Sequence, residues 1–165
     1  MGDAGEGQAA GGIKFGSVEV AETRFPLFFK QHEFRPGSAG DGRFRGGVGS
    51  VLELRMETTE PAKGNTAGDG VRHPSYGILG GRDGLPHRYR MISRGATREL
   101  KTKEIGIPIL PGTVFLIDSA GGGGYGDPRR REAAARAADR QNGLVNGVNG
   151  KNGRSSRSRR ARKSR

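Results

Sequence analysis

Short stretches of alternating apolar and polar residues recur along the chain, and they predict β-strands. The clearest is "SVLELRMET" (50–58), where Leu and Met fall on one face and charged residues on the other. The strongest single strand is "TVFLID" (113–118), which follows a Pro-Gly turn. Apolar or aromatic clusters predict further strands at 18–20, 27–34 and 87–93. Many short strands at close spacing predict a mainly β fold, a sandwich or barrel-like module.

One helix is predicted, near the C-terminal end, over "PRRREAAARAADRQN" (128–142). Asp127 suits the N-cap, since its carboxylate can accept hydrogen bonds from the first backbone N–H groups. Pro128 suits the first helical position because its fixed φ is already helical. Gly143 suits the position just beyond the helix.

Composition divides the 165 residues into a folded middle and two disordered ends. The hydrophobic fraction is 32% and there are 31 glycines, which is too little apolar material to fill the whole length with core. We expect disorder over 1–15, one folded module over 16–145 and a disordered basic tail over 146–165. The absence of cysteine excludes disulfides, zinc–thiolate sites and cysteine nucleophiles.

Basic residues are concentrated in the tail. Of the 29 Lys and Arg residues, eight lie in 151–165, which leaves 21 against 17 acidic residues in the rest of the chain. A body with a balance of +4 does not indicate a nucleic-acid surface. The tail could hold nucleic acid nonspecifically, because it has cations and no aromatic residues for stacking. The alternative is a solvated end without a partner.

The chain has neither a membrane span nor a secretory signal in its sequence. No apolar run approaches the ~20 residues of a transmembrane helix. The start, "MGDAGEGQAAGG", lacks a basic and an apolar region. These features predict a cytoplasmic protein without a membrane partner.

The glycine run "SAGGGGYGDP" (119–128) lies between the strongest strand and the helix, where many proteins bind phosphate. Gly121, Gly123 and Gly126 satisfy G-x-G-x-x-G, but no Lys-Ser or Lys-Thr follows and no second strand ends in an acid ~20 residues on. A structural corner, with positive φ and close backbone approach, is the favoured interpretation. A flexible lip that lines a site built elsewhere remains open.

Other polar candidates carry weaker signals. His32, His73 and His87 have no zinc-like spacing, which favours surface or turn positions. A turn-rich loop over 65–77 could form a polar site, although Asx turns explain part of it equally well. Its candidate residues are Asn65, Asp69, Arg72, His73 and Tyr76.

Three blocks of the sequence resemble the C-terminal part of the hydantoinase B/oxoprolinase family, to which N-methylhydantoinase B belongs. They are "RFPL" at Arg24–Leu27, "RPGSAGDGRFRGG" at Arg35–Gly47 and "GGGGYGDP" at Gly121–Pro128. The blocks follow the family's order and spacing over about residues 16–145, and the long closing block makes the resemblance specific.

The resemblance implies an ATP-dependent hydrolase of cyclic amides. Members act with a hydantoinase A-type subunit, or a fused A half, that binds ATP, and they open hydantoins, N-methylhydantoins or 5-oxoproline. Related complexes carboxylate ketones. Phosphorylation of the substrate carbonyl is thought to occur on the A side, and a divalent metal on the B side serves the later step.

The family's B subunit is several times longer than this chain, and its metal-binding motifs lie in the N-terminal portion. We therefore expect a truncated or split subunit, or a product of gene decay. It is expected to be inactive alone, to hold no ATP or metal itself, and to associate with an A-type subunit or with the missing N-terminal portion. The catalytic residues remain unidentified. The resemblance places the glycine loop near the active site of an intact assembly, with substrate- or partner-facing candidates Gly122, Gly123, Gly124, Tyr125 and Asp127.

Overall fold

The computed structural model describes residues 16–145. The predicted disordered ends and the basic tail lie outside the described residues. Seven strands and two short α-helices follow one another along the described part of the chain. They are α1 (Val18–Arg24), β1 (Leu27–Arg35), β2 (Gly49–Met56), β3 (Ala62–Ala67), β4 (Arg88–Ser93), β5 (Ala96–Glu99), β6 (Lys103–Ile109), β7 (Val114–Asp118) and α2 (Ala133–Gln141).

The strands form two antiparallel sheets. Five of them pair in the order β1-β2-β7-β4-β5, and β3 pairs with β6 in a separate two-stranded sheet. The prediction of a mainly β fold is confirmed, and the sheets do not close into a barrel. Neither helix in the described part of the chain is long and apolar enough to cross a membrane.

The core lies on one face of the five-stranded sheet. Leu54 of β2 is opposite Phe115 of β7, which in turn is opposite Met91 of β4, so the three side chains share a face. Met91, Leu100 and Ile107 form the buried cluster, against which Phe115 packs. The apolar face predicted for β2 is therefore the core face.

The strand predicted at 18–20 is wrong, because Val18–Arg24 is helical. Ser17 is the N-cap, and its hydroxyl accepts a hydrogen bond from the Val20 N–H at 3.3 Å. Three alternating residues fit a strand and a helical turn equally well, so the cap decides between them. The strand predicted at 27–34 is confirmed as β1.

The helix predicted over 128–142 is interrupted. Pro128–Arg130 form a 3₁₀ turn, which Asp127 caps by accepting from the Arg129 N–H at 2.9 Å. Arg131 is then extended, and α2 starts only at Ala133. The predicted end is confirmed, since Gly143 has a φ of 66° and follows the last helical turn.

Candidate functional site

Three glycine-rich segments meet beyond one end of the five-stranded sheet. Residues 38–47 connect β1 to β2, residues 75–85 precede β4, and residues 120–126 follow β7. Because β1 and β7 end at this edge while β2 and β4 begin there, the sheet brings the three segments together. We call them the glycine bundle.

Each segment of the glycine bundle is hydrogen-bonded to both of the others. The Gly40 N–H donates to the Gly122 carbonyl at 2.8 Å, and the Gly124 N–H donates to the Arg82 carbonyl at 2.9 Å. The Leu85 N–H donates to the Ser38 carbonyl at 2.7 Å, which links segments 75–85 and 38–47. In a flat sheet the two outer segments of three would not be hydrogen-bonded to each other. Because all three segments are bonded to one another here, their backbones pack as a compact bundle.

Side chains have no room between these backbones. A Cβ on Gly121 would lie 1.9 Å from the Ser38 carbonyl oxygen, and one on Gly123 would lie 2.0 Å from the Tyr76 carbonyl oxygen. Gly46 faces Gly122 in the same way, with 2.0 Å to the carbonyl oxygen. Close backbone approach therefore explains most of these glycines, and positive φ explains Gly126, at 73°.

The same contacts bear on the phosphate-loop alternative. A phosphate loop directs its backbone N–H groups at the ligand. Here five successive or near-successive N–H groups donate to carbonyl oxygens of the two neighbouring segments; they belong to Gly121, Gly122, Gly124, Tyr125 and Gly126. The geometry supports the structural corner.

Two polar side chains hold the bundle to the sheet. Ser38 is fully buried; its hydroxyl donates to the Arg35 carbonyl at 2.7 Å and accepts from the Gly49 N–H at 2.8 Å. The Arg35 guanidinium donates to the carbonyls of Pro86 and Ser119, at 2.8 and 2.9 Å. All three segments are thus anchored where they leave the strands.

His87 makes a further anchor that depends on its protonation state. Its Nδ1 accepts a hydrogen bond from the Ala120 N–H at 3.2 Å, and its ring stacks on Tyr89. Burial, together with the nearby Arg35 charge, lowers the pKa of His87, against an opposing effect of Asp69. The neutral imidazole is therefore the form that the fold prefers.

We expect acidification to destabilise the protein through His87. Because the folded-state pKa lies below its ordinary value of 6.5, the stabilising contribution is present above that value and is lost as pH falls through the folded-state pKa. The drop in Tm between about pH 7.5 and about pH 5 should be smaller for His87→Gln than for the parent. Parallel pH profiles for the two proteins would contradict this role.

Apolar side chains cover the outer rim of the bundle. Tyr125 forms β-bridges with Phe44 on one side and Ile78 on the other, so the three side chains line up on one face. They remain 47%, 59% and 44% exposed, respectively. The Phe44 and Tyr125 ring centroids are 6.3 Å apart.

An ion-pair network ties α2 to the bundle. Asp139 is only 7% exposed, and its carboxylate accepts from Arg131 at 2.6 and 3.1 Å and from the Arg45 Nε at 3.1 Å. Arg131 can reach Asp139 because it is extended between the 3₁₀ turn and α2. A cavity of about 250 Å³ adjoins this network and is also lined by Arg136 and Arg140.

The polar loop predicted over 65–77 is split by the fold. Asp69, Arg72 and His73 line an open cavity of about 530 Å³. Asn65 lies in β3, where its side chain accepts from the Gly106 N–H at 2.9 Å. Tyr76 belongs to the glycine bundle and is 74% exposed. These five residues do not form one site.

The cofactors implied by the resemblance do not fit the residues of this module. Among residues 16–145, no group of three or more His, Asp or Glu side chains could hold a metal ion. The glycine bundle directs its N–H groups inward, as described above. We therefore derive no chemical step through ATP or a metal on this part of the chain.

Comparison with known proteins agrees with the three sequence blocks. Residues 2–128 match the family model described as hydantoinase B/oxoprolinase. The chain belongs to the hydantoinase B/oxoprolinase family. The caprolactamase subunit beta of Pseudomonas jessenii is 34% identical over 144 residues, and the 5-oxoprolinase of Saccharomyces cerevisiae is 33% identical over 110 residues.

The match extends to the fold. The crystal structure of ATP-dependent caprolactamase from Pseudomonas jessenii superposes with a TM-score of 0.66 and 28% identity over 80% of this chain. This hydantoinase B-type chain spans about a quarter of that relative's subunit beta, since the alignment covers 82% of the chain and 24% of the subunit. The match to the yeast 5-oxoprolinase covers 66% of this chain and 8% of that protein.

The structure brings the predicted loop residues together in the bundle. Gly122, Gly123 and Gly124 pack against neighbouring backbones, Tyr125 lies on the rim, and Asp127 caps the 3₁₀ turn and pairs with Arg129 at 2.8 Å. Sequence reasoning missed the partners of this loop, Phe44 and Ile78, and it missed the Arg45–Asp139–Arg131 network. The "GRFRGG" and "GILGG" glycines were the available signal for the first, and nothing local signalled the second.

Proposed function

We propose that residues 16–145 form the C-terminal module of a hydantoinase B-type subunit that works within an ATP-dependent assembly to open cyclic amide rings. The observation that carries this proposal is the relationship to caprolactamase subunit beta, which spans most of this chain in sequence and fold. That relative is described as ATP-dependent and is named for its action on a lactam.

The chemistry is coherent for this class of substrate. An amide carbonyl resists attack by water because the nitrogen lone pair is delocalised into it. In the assembly, transfer of the ATP γ-phosphoryl group to the carbonyl oxygen would make the carbonyl carbon more electrophilic. Water would then add, the ring C–N bond would break to release the amine, and hydrolysis of the resulting acyl phosphate would release phosphate. We assign these steps to other parts of the assembly, because the described residues include no group of three or more metal-ligating side chains and the glycine bundle directs its N–H groups at neighbouring carbonyls.

The assembly implies partners for this chain. The relative is a subunit beta, which supports an A-type subunit as the ATP-binding partner. Because the chain spans only a quarter of that subunit, a second partner is the remaining portion of the B-type chain.

Within the assembly, the glycine bundle serves as a rigid support for its rim. Gly123 and Gly124 contribute by close backbone packing, and the N–H groups of Gly122 and Gly124 donate to carbonyls of the neighbouring segments. Tyr125 then presents a half-exposed side chain to a substrate or partner. Asp127 keeps the following 3₁₀ turn in place.

The test is catalytic activity with and without the remaining portion. The chain alone, supplied with ATP and a divalent metal, should show no turnover of hydantoin, 5-oxoproline or caprolactam above a blank. A chimera in which residues 16–145 replace the matching quarter of caprolactamase subunit beta should retain ATP-dependent opening of its lactam when combined with the rest of that enzyme.

Two outcomes would contradict the proposal. One is turnover by the chain alone that a chelator abolishes, since that would require a metal site in the isolated chain. The other is a chimera that assembles normally but never opens the ring.

A further inference from the structure

A strained turn carries an exposed leucine at the tip of segment 75–85. The Gly81 N–H donates to the Ile78 carbonyl at 3.0 Å, and both central residues have positive φ, 50° at Leu79 and 88° at Gly80. Such a type I′ turn strongly prefers Asn-Gly at these two positions. Leucine is disfavoured there by its Cβ, yet its side chain is 72% exposed.

Because its side chain is largely exposed, Leu79 gains little burial within the described part of the chain that could offset the strain in its backbone. Strained positions of this kind cluster at functional sites. Arg94 shares the backbone conformation, and the exposed apolar side chain distinguishes Leu79 from it. A leucine that projects into solvent from a fixed turn is suited to insertion into an apolar partner surface.

Leu79 lies in the chain directly beside the row of apolar residues on the bundle rim. Ile78 precedes it directly, and the β-bridges align Ile78 with Tyr125 and Tyr125 with Phe44. We call these four residues the rim patch. Their exposed fractions run from 44% to 72%, and a group of exposed apolar side chains on neighbouring segments is typical of an interaction site.

The surroundings of the rim patch are those of an interface. The Arg43 guanidinium lies 5.4 Å from the centroid of the Phe44 ring, and Arg82 lies 3.8 Å from Asp41 nearby. An apolar centre with a charged rim is the usual anatomy of a protein–protein contact. The bundle behind the patch has its backbone hydrogen-bonded on both sides, so little ordering is needed on docking.

We infer that the rim patch docks onto the remaining portion of a hydantoinase B-type chain. This inference rests on the proposed function. The length supports the occupant: caprolactamase subunit beta has about three quarters of its chain beyond the part that matches this one, and that portion must pack against the module. In such a subunit the contact is intramolecular and permanent, which suits an apolar surface.

The test uses the full 165-residue chain and, as probe, the portion of caprolactamase subunit beta that this chain does not match, produced in the same cells. The decisive substitution is Leu79→Asn, which removes the apolar side chain and places Asn-Gly in the type I′ turn. We expect the Tm of the isolated chain to rise or stay unchanged, while its affinity for the probe falls about tenfold or more.

Two matched controls separate docking from folding. Arg94 also has a φ of 50°, before Gly95 at 76°, so Arg94→Asn makes the same backbone change in the β4–β5 turn. Ile105→Asp adds a charge at an apolar residue of β6 that is 88% exposed and outside the patch. Both variants should bind the probe like the parent.

The outcomes distinguish this inference from the proposed function. If the parent does not co-elute with the probe, both fail. If Leu79→Asn binds the probe as tightly as the parent, or if either control weakens binding as much as Leu79→Asn does, the rim patch is not the docking surface, while the proposed function stands. A dimer of the isolated chain that Leu79→Asn abolishes and Arg94→Asn preserves would assign the patch to a second copy and overturn the inference.

Discussion

Replacing Gly121 by alanine should lower the free energy of unfolding by about 3 kcal/mol or more, enough to unfold a marginally stable module. The new Cβ would lie 1.9 Å from the Ser38 carbonyl oxygen and 2.3 Å from its carbonyl carbon. Neither segment can move away easily, since Leu85 donates to that same carbonyl and the Ser38 side chain is held between two backbone groups. Denaturant unfolding of the purified variant measures the loss.

Alanine substitutions at two other glycines distinguish the cost of close backbone approach from the cost of a positive φ. At Gly122 the nearest atom to an added Cβ is the Gly47 nitrogen at 3.1 Å, so alanine needs only a small shift. At Gly112 an added Cβ meets nothing within 4 Å, but φ is +73°, which costs about 1–2 kcal/mol for alanine. Gly121→Ala should be the most destabilising of the three. Equal losses at Gly121 and Gly122 would show that the bundle is looser than its backbone contacts indicate.

Asp139→Ala should cost about 3–5 kcal/mol, the second large effect that we expect. The carboxylate is reached by three guanidinium N–H bonds, two from Arg131 and one from Arg45, whose side chains are only 16% and 13% exposed. Its removal leaves the near-buried Arg131 charge without the carboxylate that compensates it. The loss should appear as a lower Tm and as weaker protection of α2 in hydrogen exchange.

Glu57→Ala is the matched control for Asp139→Ala. Glu57 also pairs with an arginine, Arg55, but both side chains are close to half exposed. An exposed pair of this kind contributes about 0.2–1 kcal/mol. A loss at Asp139 no larger than the loss at Glu57 would mean that the network does not hold α2 in place.

Local pattern was sufficient for β2, β4 and β7, which carry part of the core. In β2 the alternation identified the face on which Leu54 packs, and in β7 a dense apolar run followed a turn at Gly112, whose φ is positive. The same kind of information failed at 18–20 and at Arg131. Three alternating residues are too few to outweigh a serine cap, and the break in the helix at Arg131 coincides with a contact to Asp139, eight residues away.

The sequence by itself determined four strands, β1, β2, β4 and β7, together with the C-terminal end of α2 at Gly143 and, through three ordered blocks, the family. Those features depend on residues that are close together in the chain or on the amino-acid sequence of long motifs. Only the tertiary structure decided what the glycines do. Their spacing satisfies a phosphate-loop pattern, and the sequence only favoured the corner, because the difference lies in which carbonyl each N–H meets. The sheet decides that by bringing 38–47, 75–85 and 120–126 to one edge, where their backbones bond mutually and leave the rim patch exposed.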